Sequence, residues 1–284
     1  MTPVRSIPSD FDPAIVAAIE RRLRRLEAEH NVTIVWAVES GSRAWGFPSP
    51  DSDYDCRFIF IRPLVDYLSI HPKRDVIEVP IEEGLDINGW DLFKLARLLL
   101  KGNAVAIEWL MSPIIYGGFD EFRADWCAEA GRLVHRSALI QHYYHLGQGQ
   151  FRKHLAEPDA VILKKIFYAL RPAVVLRWLR MHPDRTVAPM HFPTLLAQTD
   201  LPAATREEIT NLLAQKARTR EMGLGPLPEP ISGFIHSEYA QAHSALLSGD
   251  QSASPVLDRV AGADRLVRQW VRLCETFQTS RGGA

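Results

Sequence analysis

An apolar, β-branched run, Val32 to Val38, ends in Glu39-Ser40-Gly41-Ser42, and ten residues separate Ser42 from Asp53-Tyr54-Asp55 at the head of a second strand-like run, Asp53 to Ile61. This pairing constrains the chain more than any other feature. In a strand, residues i and i+2 share a face, so Asp53 and Asp55 project side by side while Tyr54 and Cys56 point away. Adjacent carboxylates repel unless a cation sits between them, and hard oxygen ligands suit Mg²⁺ bound together with substrate phosphates. Gly41 allows close approach of the backbone to an anion, and Ser42 can donate from the start of a short helix. Asp-Ser-Asp-x-Asp also reads as a turn and cap entering a strand. That reading suits Asp51, which closes the loop, but it leaves the Gly-Ser at fixed distance unexplained.

The rest of the chain sets limits. With 284 residues, 46% apolar and 24% charged, the composition is that of a globular protein and excludes a disordered or collagen-like chain. A formal charge of −1 excludes a wholly basic nucleic-acid coat but not a local basic patch. Cys56, Cys127 and Cys274 are too scattered for a zinc knuckle or a disulfide framework. The polar, proline-broken start is unlike a signal peptide, and apolar runs such as Leu98 to Leu100 are too short to cross a bilayer. These features predict a reduced, cytoplasmic protein without membrane contact.

Asp12-Pro13 reads as a cap and first residue of a helix that carries Ile15, Val16, Ile19, Leu23 and Leu26 and ends near Asn31. Short strands are predicted at Val76 to Pro80 and Leu85 to Trp90, joined by the turn Glu82-Glu83-Gly84. Asp91 reads as the cap of a helix through Leu100 that Gly102 closes. Beyond about residue 116 the periodic segments are helical, at 120–131, 137–156, 159–182, 203–222, 234–248 and 256–277, with breaks at Gly223 to Pro230 and Gln251 to Pro255. The pattern predicts an α+β protein, a small mixed sheet over residues 1–116 followed by an all-helical part over 117–284.

Between Arg132 and Arg185 there are ten Lys or Arg against three acids. Lys164, Tyr168 and Arg171 recur at i, i+4 and i+7, on one helix face. Such a face suits a triphosphate and a stacked base, or simply solvent. Other patterns carry less. Arg-x(4–6)-His recurs five times, as composition alone would produce, and no GxxxxGK[ST] or GxSxG motif occurs.

Gly41-Ser42, the ten-residue spacer and Asp53-x-Asp55 between apolar strands resemble the signature of the DNA polymerase β nucleotidyltransferase superfamily. The longer string Glu39 to Phe47 with Asp51-Ser52-Asp53-Tyr54-Asp55 is most similar to the bacterial nucleotidyltransferases associated with RNA-repair operons. The likeness continues through Asn88 to Leu92, Glu108-Trp109-Leu110 and Lys164 to Arg171, covering about residues 30–180.

The resemblance implies a nucleotidyltransferase core whose helical part closes over the nucleotide, with two Mg²⁺ ions (Mn²⁺ as an alternative) held by Asp53 and Asp55. A third carboxylate on a neighbouring strand completes the set. Asp86 is the candidate, with Asn88 on its face, and Asp91 is the rival whose capping role already explains it. Gly41, Ser42, Arg43, Lys164, Tyr168 and Arg171 would bind the nucleotide. The implied reaction moves a nucleoside monophosphate, AMP from ATP, to a hydroxyl on RNA (tRNA or a repaired RNA end) and releases pyrophosphate. The alternatives are the same chemistry on a protein or small molecule, including toxin-like action, and a catalytically silent nucleotide- or RNA-binding module.

Overall fold

The computed structural model describes residues 1–81, 84–248 and 256–282, with side chains through residue 276. The Glu82-Glu83 part of the expected turn and the break at 251–255 lie outside the described residues. Helix α1 (Pro13–His30) opens as its sequence dictates. The Asp12 side chain accepts from the Ala14 amide at 2.8 Å, and Asn31 closes the helix in the left-handed conformation at φ 50°. Strand β1 (Thr33–Glu39) follows, then the single turn α2 (Gly41–Ala44), strand β2 (Tyr54–Ile61) and the short α3 (Leu64–Tyr67). β3 (Val76–Glu78) and β4 (Leu85–Asp91) lead into α4 (Leu92–Leu100), α5 (Ala104–Met111) and β5 (Ile115–Gly118). The remainder comprises α6 (Asp120–Leu133), α7 (Arg136–His154), β6 (Val161–Ile162), α8 (Leu163–Met181), α9 (Phe192–Ala197), α10 (Ala203–Arg218), β7 (Leu224–Gly225), α11 (Glu229–Ser248) and α12 (Val256–Gly282).

The main sheet runs β3-β4-β2-β1-β5. β2 and β4 are parallel, and the other neighbours are antiparallel. The sheet is therefore mixed, and the architecture is the α+β one expected. Alternation of side chains gives it two apolar faces. Ala37, Cys56, Phe58 and Phe60 pack under α1 with Val16, Ile19, Leu23 and Leu26. Trp36, Val38, Ile59 and Ile61 face the helices, in a core that runs from β1 through α4, α5 and α8 to Trp270 and Cys274 of α12. The Trp36 indole fixes the two layers by donating to the Trp109 carbonyl at 2.9 Å. The expected division between residues 116 and 117 falls inside β5, and this core continues through it.

Some elements depart from the sequence reading. The expected helix 159–182 begins only at Leu163, because Val161 and Ile162 pair with Leu224 and Gly225 in a two-stranded ladder. The Gly/Pro-rich stretch 223–230 thus contains β7 and the start of α11. Helix α8 runs on through Pro172. Asp91 caps α4, accepting from the Phe93 amide at 2.8 Å, and Gly102 follows that helix at φ 71°.

Candidate active site

The turn after β1 is built by glycine and by hydroxyls. Gly41 lies at φ 63°, and a Cβ there would stand 2.3 Å from Asp55 Oδ2, so only glycine fits both backbone and neighbour. The Ser40 amide donates to the Asp55 carbonyl at 2.8 Å, tying the turn to the head of β2. Ser42 Oγ donates to Ser52 Oγ at 2.9 Å, and Ser52 Oγ accepts from the Ser49 amide at 2.9 Å, which closes the spacer loop on itself. Arg43 serves the loop rather than the cleft. Its guanidinium donates to the carbonyls of Asp53 (3.1 Å) and Ser52 (2.6 Å) and stacks 4.0 Å over the Tyr54 ring.

This turn borders a cleft of about 430 Å³. Asp51, Asp53, Asp55 and Arg57 reach it from the loop and β2, Lys164, Lys165 and Tyr168 from α8, and Lys216 from α10. Sheet carboxylates and helix cations therefore share one space; of the residues singled out from the sequence, Gly41, Ser42, Asp53, Asp55, Lys164 and Tyr168 line it, whereas Arg43, Asp86 and Arg171 do not. Burial raises the Asp55 carboxyl above its ordinary range, opposed by Arg57 and reinforced by Asp86 and Asp53. Lys164 Nζ stands 3.6 Å from Asp51, and Tyr168 meets Trp45 edge-on at 6.2 Å.

Asp86 falls directly opposite Asp55 in the parallel β2–β4 register. One nitrogen, Arg57 Nη2, contacts Asp55 Oδ1 at 3.1 Å and Asp86 Oδ2 at 2.6 Å, and Asn88 Nδ2 donates to Asp86 Oδ1 at 2.6 Å. The rival Asp91 is buried. It accepts from the Phe93 amide and the Tyr67 hydroxyl and lies 3.9 Å from Arg62.

Arg171 departs from expectation. It does not line the cleft; it is 4% exposed and pairs at 2.8 Å with Glu108, which also accepts from the Tyr143 hydroxyl. Its guanidinium packs 4.7 Å from the Trp45 ring, so it reaches the cleft only through that wall.

Three residues at or behind the site escaped the sequence reading. Arg57 follows Asp55 by two and shares its face, a signal the strand period contained. Glu39 is fully buried, accepts from the Asp55 amide at 2.9 Å and from the Tyr116 hydroxyl, and is raised to about 7 by desolvation. Its traces were a carboxylate ending an apolar strand and its place at the head of the string Glu39 to Phe47. Lys216 reaches Phe47, 169 residues away, and no local pattern could have announced that contact.

The donor set suits a divalent cation. Its oxygens are hard, and the like charges of Asp53 and Asp86 burden Asp55 in a way that a cation relieves. Among the described residues no three such side chains form a ready-made metal cluster; the Arg57 guanidinium bridges Asp55 and Asp86 instead.

The chain matches the RNA repair pathway DNA polymerase beta family, RlaP, over residues 15–269. It is 40% identical over 221 residues to the uncharacterized protein YcgL of Bacillus subtilis (strain 168), covering 76% of this chain and 82% of that protein. The crystal structure of a nucleotidyltransferase-like protein from Exiguobacterium sibiricum 255-15 aligns over 89% of this chain and 80% of its own at 12% identity, with a TM-score of 0.28. The family match spans the paired strands, the Gly-Ser turn and most of the helical region, and the chain belongs to the RlaP family of RNA repair pathway DNA polymerase β-like proteins.

Proposed function

We propose that this protein is a metal-dependent nucleotidyltransferase that moves AMP from ATP to a hydroxyl on RNA, a tRNA or a repaired end, and releases pyrophosphate. One observation carries the reading. The Asp53 and Asp55 carboxylates and the Lys164 and Lys216 ammoniums border a single cleft, about 430 Å³, beside a Gly-Ser turn. Carboxylates alone would expel a polyphosphate, and lysines alone would bind it without chemistry. The family description supports RNA as the acceptor.

In this reading the acceptor hydroxyl gives up its proton to solvent as its oxygen forms a bond to the α-phosphorus, the bond from that phosphorus to its bridging oxygen breaks, and pyrophosphate leaves with the electron pair. Asp53 and Asp55 would hold two Mg²⁺ ions, and Asp86 would complete the shell on the acceptor side. When bound, the ions neutralise the charge that develops on the phosphoryl oxygens and the attacking hydroxyl. The Gly41-Ser42 turn and Lys164 orient the phosphate chain, while Tyr168 with Trp45 offers an aromatic surface to the base. Glu39 fixes the Asp55 main chain from behind. The protein is proposed to work in the cytoplasm; among the described residues no helix is long and apolar enough to cross a membrane.

The test is direct. The protein is incubated with each α-labelled NTP, Mg²⁺ and either total RNA or total protein. Label from ATP in RNA, absent for Asp53→Asn, is the expected result. Label in the protein pool would move the acceptor to a side chain, and label in neither pool would favour a silent binding module.

A further inference from the structure

Lys216 is 3% exposed, yet it borders the cleft. An ammonium carries three donors. One donates to the Phe47 carbonyl at 2.5 Å, with the Phe47 ring centroid 5.0 Å away. Among the described residues no carboxylate comes within ion-pair distance of it. The charged groups acting on it are Lys164 of α8, which repels it, and Asp51 of the spacer loop, which attracts it. That aspartate is already shared, because Lys164 Nζ stands 3.6 Å from Asp51 and 3.9 Å from Glu221. Burial and Lys164 accordingly bring Lys216 down to about 8. A buried cation without a counter-ion is a costly arrangement, and here it faces a space that also holds Asp53 and Asp55.

We infer that Lys216, together with Lys164, binds the terminal phosphates of a nucleoside triphosphate and makes the cleft select triphosphates over monophosphates. The inference rests on the nucleotide site proposed above and adds the residue that reads phosphate number. The phosphate chain would then span from the carboxylate side of the cleft, where its α-phosphate must react, to the helix side, where Lys216 lacks an anion. Lys216 also anchors the Phe47 carbonyl, so it would couple the end of the Gly41–Phe47 segment to phosphate occupancy.

The experiment measures the affinity of α,β-methylene-ATP, which cannot be cleaved at the α–β position, and of AMP. Both are titrated with Mg²⁺ into wild type, Lys216→Met and Lys216→Arg. Lys216→Met should lose about tenfold or more in triphosphate affinity, the scale of one charge-assisted contact, with AMP affinity unchanged within about twofold. Wild type should also weaken for the triphosphate by roughly four- to eightfold from pH 7.5 to 9.0, as Lys216 gives up its proton while the phosphates stay ionised. Lys216→Arg should be flat over that range, because guanidinium keeps its charge. A flat wild-type profile, or equal losses for AMP and triphosphate in Lys216→Met, would overturn the inference and reduce Lys216 to a prop for Phe47 while the nucleotide reading stands. Failure of wild type to bind either nucleotide would overturn both. If Lys216→Met does not fold, the pH profiles of wild type and Lys216→Arg still decide.

Discussion

Asp55 stands directly across from Asp86 in the parallel pairing of β2 with β4, and both carboxylates contact the same nitrogen of Arg57. The register pairs these two residues, so two like charges become neighbours on one face and require a cation between them. In the free protein that cation is a guanidinium supplied two residues after Asp55, and Asn88, two after Asp86, satisfies the remaining Asp86 oxygen. A carboxylate row with its own counter-charge can stay folded before any metal or phosphate arrives.

Asp86→Asn and Asp55→Asn should separate folding from chemistry. In Asp86→Asn the amide oxygen can still accept from Arg57 and the like charge beside Asp55 is removed, so stability should change by about 1 kcal/mol or less. Asp55→Asn, measured in EDTA at neutral pH, should melt no lower than wild type, since burial and the Asp86 and Asp53 charges oppose its ionised form. Both should lose nucleotidyl transfer by orders of magnitude. Wild-type turnover by either variant would remove that residue from the site.

Asp91 is the control. It lies five residues beyond Asp86 on β4, about 16 Å along the strand, and its oxygens are engaged by Phe93 and Tyr67. Asp91→Ala should cost at least about 0.5–2 kcal/mol from the lost cap. Asp91→Ser restores a capping oxygen and should recover much of that loss, with transfer close to wild type per folded molecule. A stable but inactive Asp91→Ser would transfer the third-carboxylate role from Asp86 to Asp91.

What could be read in advance was local chemistry. The caps at Asp12 and Asp91, the β-branched strand before Glu39 and the shared face of Asp53 and Asp55 each depend on residues within a turn or two of one another. Depth was not legible. Lys164 and Arg171 do lie on one side of α8, but seven residues carry the chain about 10 Å along the axis, from the cleft into the core. Periodicity gives an angle and says nothing of that descent. Helix α5, Ala104–Met111, is apolar nearly all round, with six of its eight residues buried, so it had no amphipathic stripe to read. Lys216 gains its place only from the packing of α10 against Phe47.

Arg171 belongs to the fold, and its removal should show that. Leaving Glu108 buried without its partner should make Arg171→Met about 3–5 kcal/mol less stable in urea titrations. Arg171→Met with Glu108→Met should recover part of the loss, limited by the Tyr143 hydroxyl, which then has no acceptor. Under conditions where Arg171→Met is folded, its affinity for α,β-methylene-ATP should change far less than that of Lys216→Met. An intact, fully stable Arg171→Met with lost triphosphate binding would return Arg171 to the nucleotide site.

Glu39 gives the pH test. Desolvation lifts its carboxyl from 4.5 to about 7, against the opposing pull of Tyr116 and the Asp55 amide. Between those values the folded protein holds a proton on Glu39 that the unfolded chain has released, so the contribution of this carboxyl to stability falls as pH rises from about 4.5 to about 7. Above 7 the penalty is complete. Glu39→Gln does not titrate, yet it keeps an oxygen for the Asp55 amide and an amide for the Tyr116 oxygen. Its stability relative to wild type should therefore climb by up to about 1.4 kcal/mol per pH unit across that window and then level off. Urea midpoints at pH 4.5, 5.5, 6.5 and 7.5, in EDTA, measure the difference. The raised carboxyls of Asp55 and Asp91 are present in both proteins and largely cancel. Parallel profiles for the two proteins would mean that Glu39 stays ionised when buried, with a positive charge near enough to hold it so.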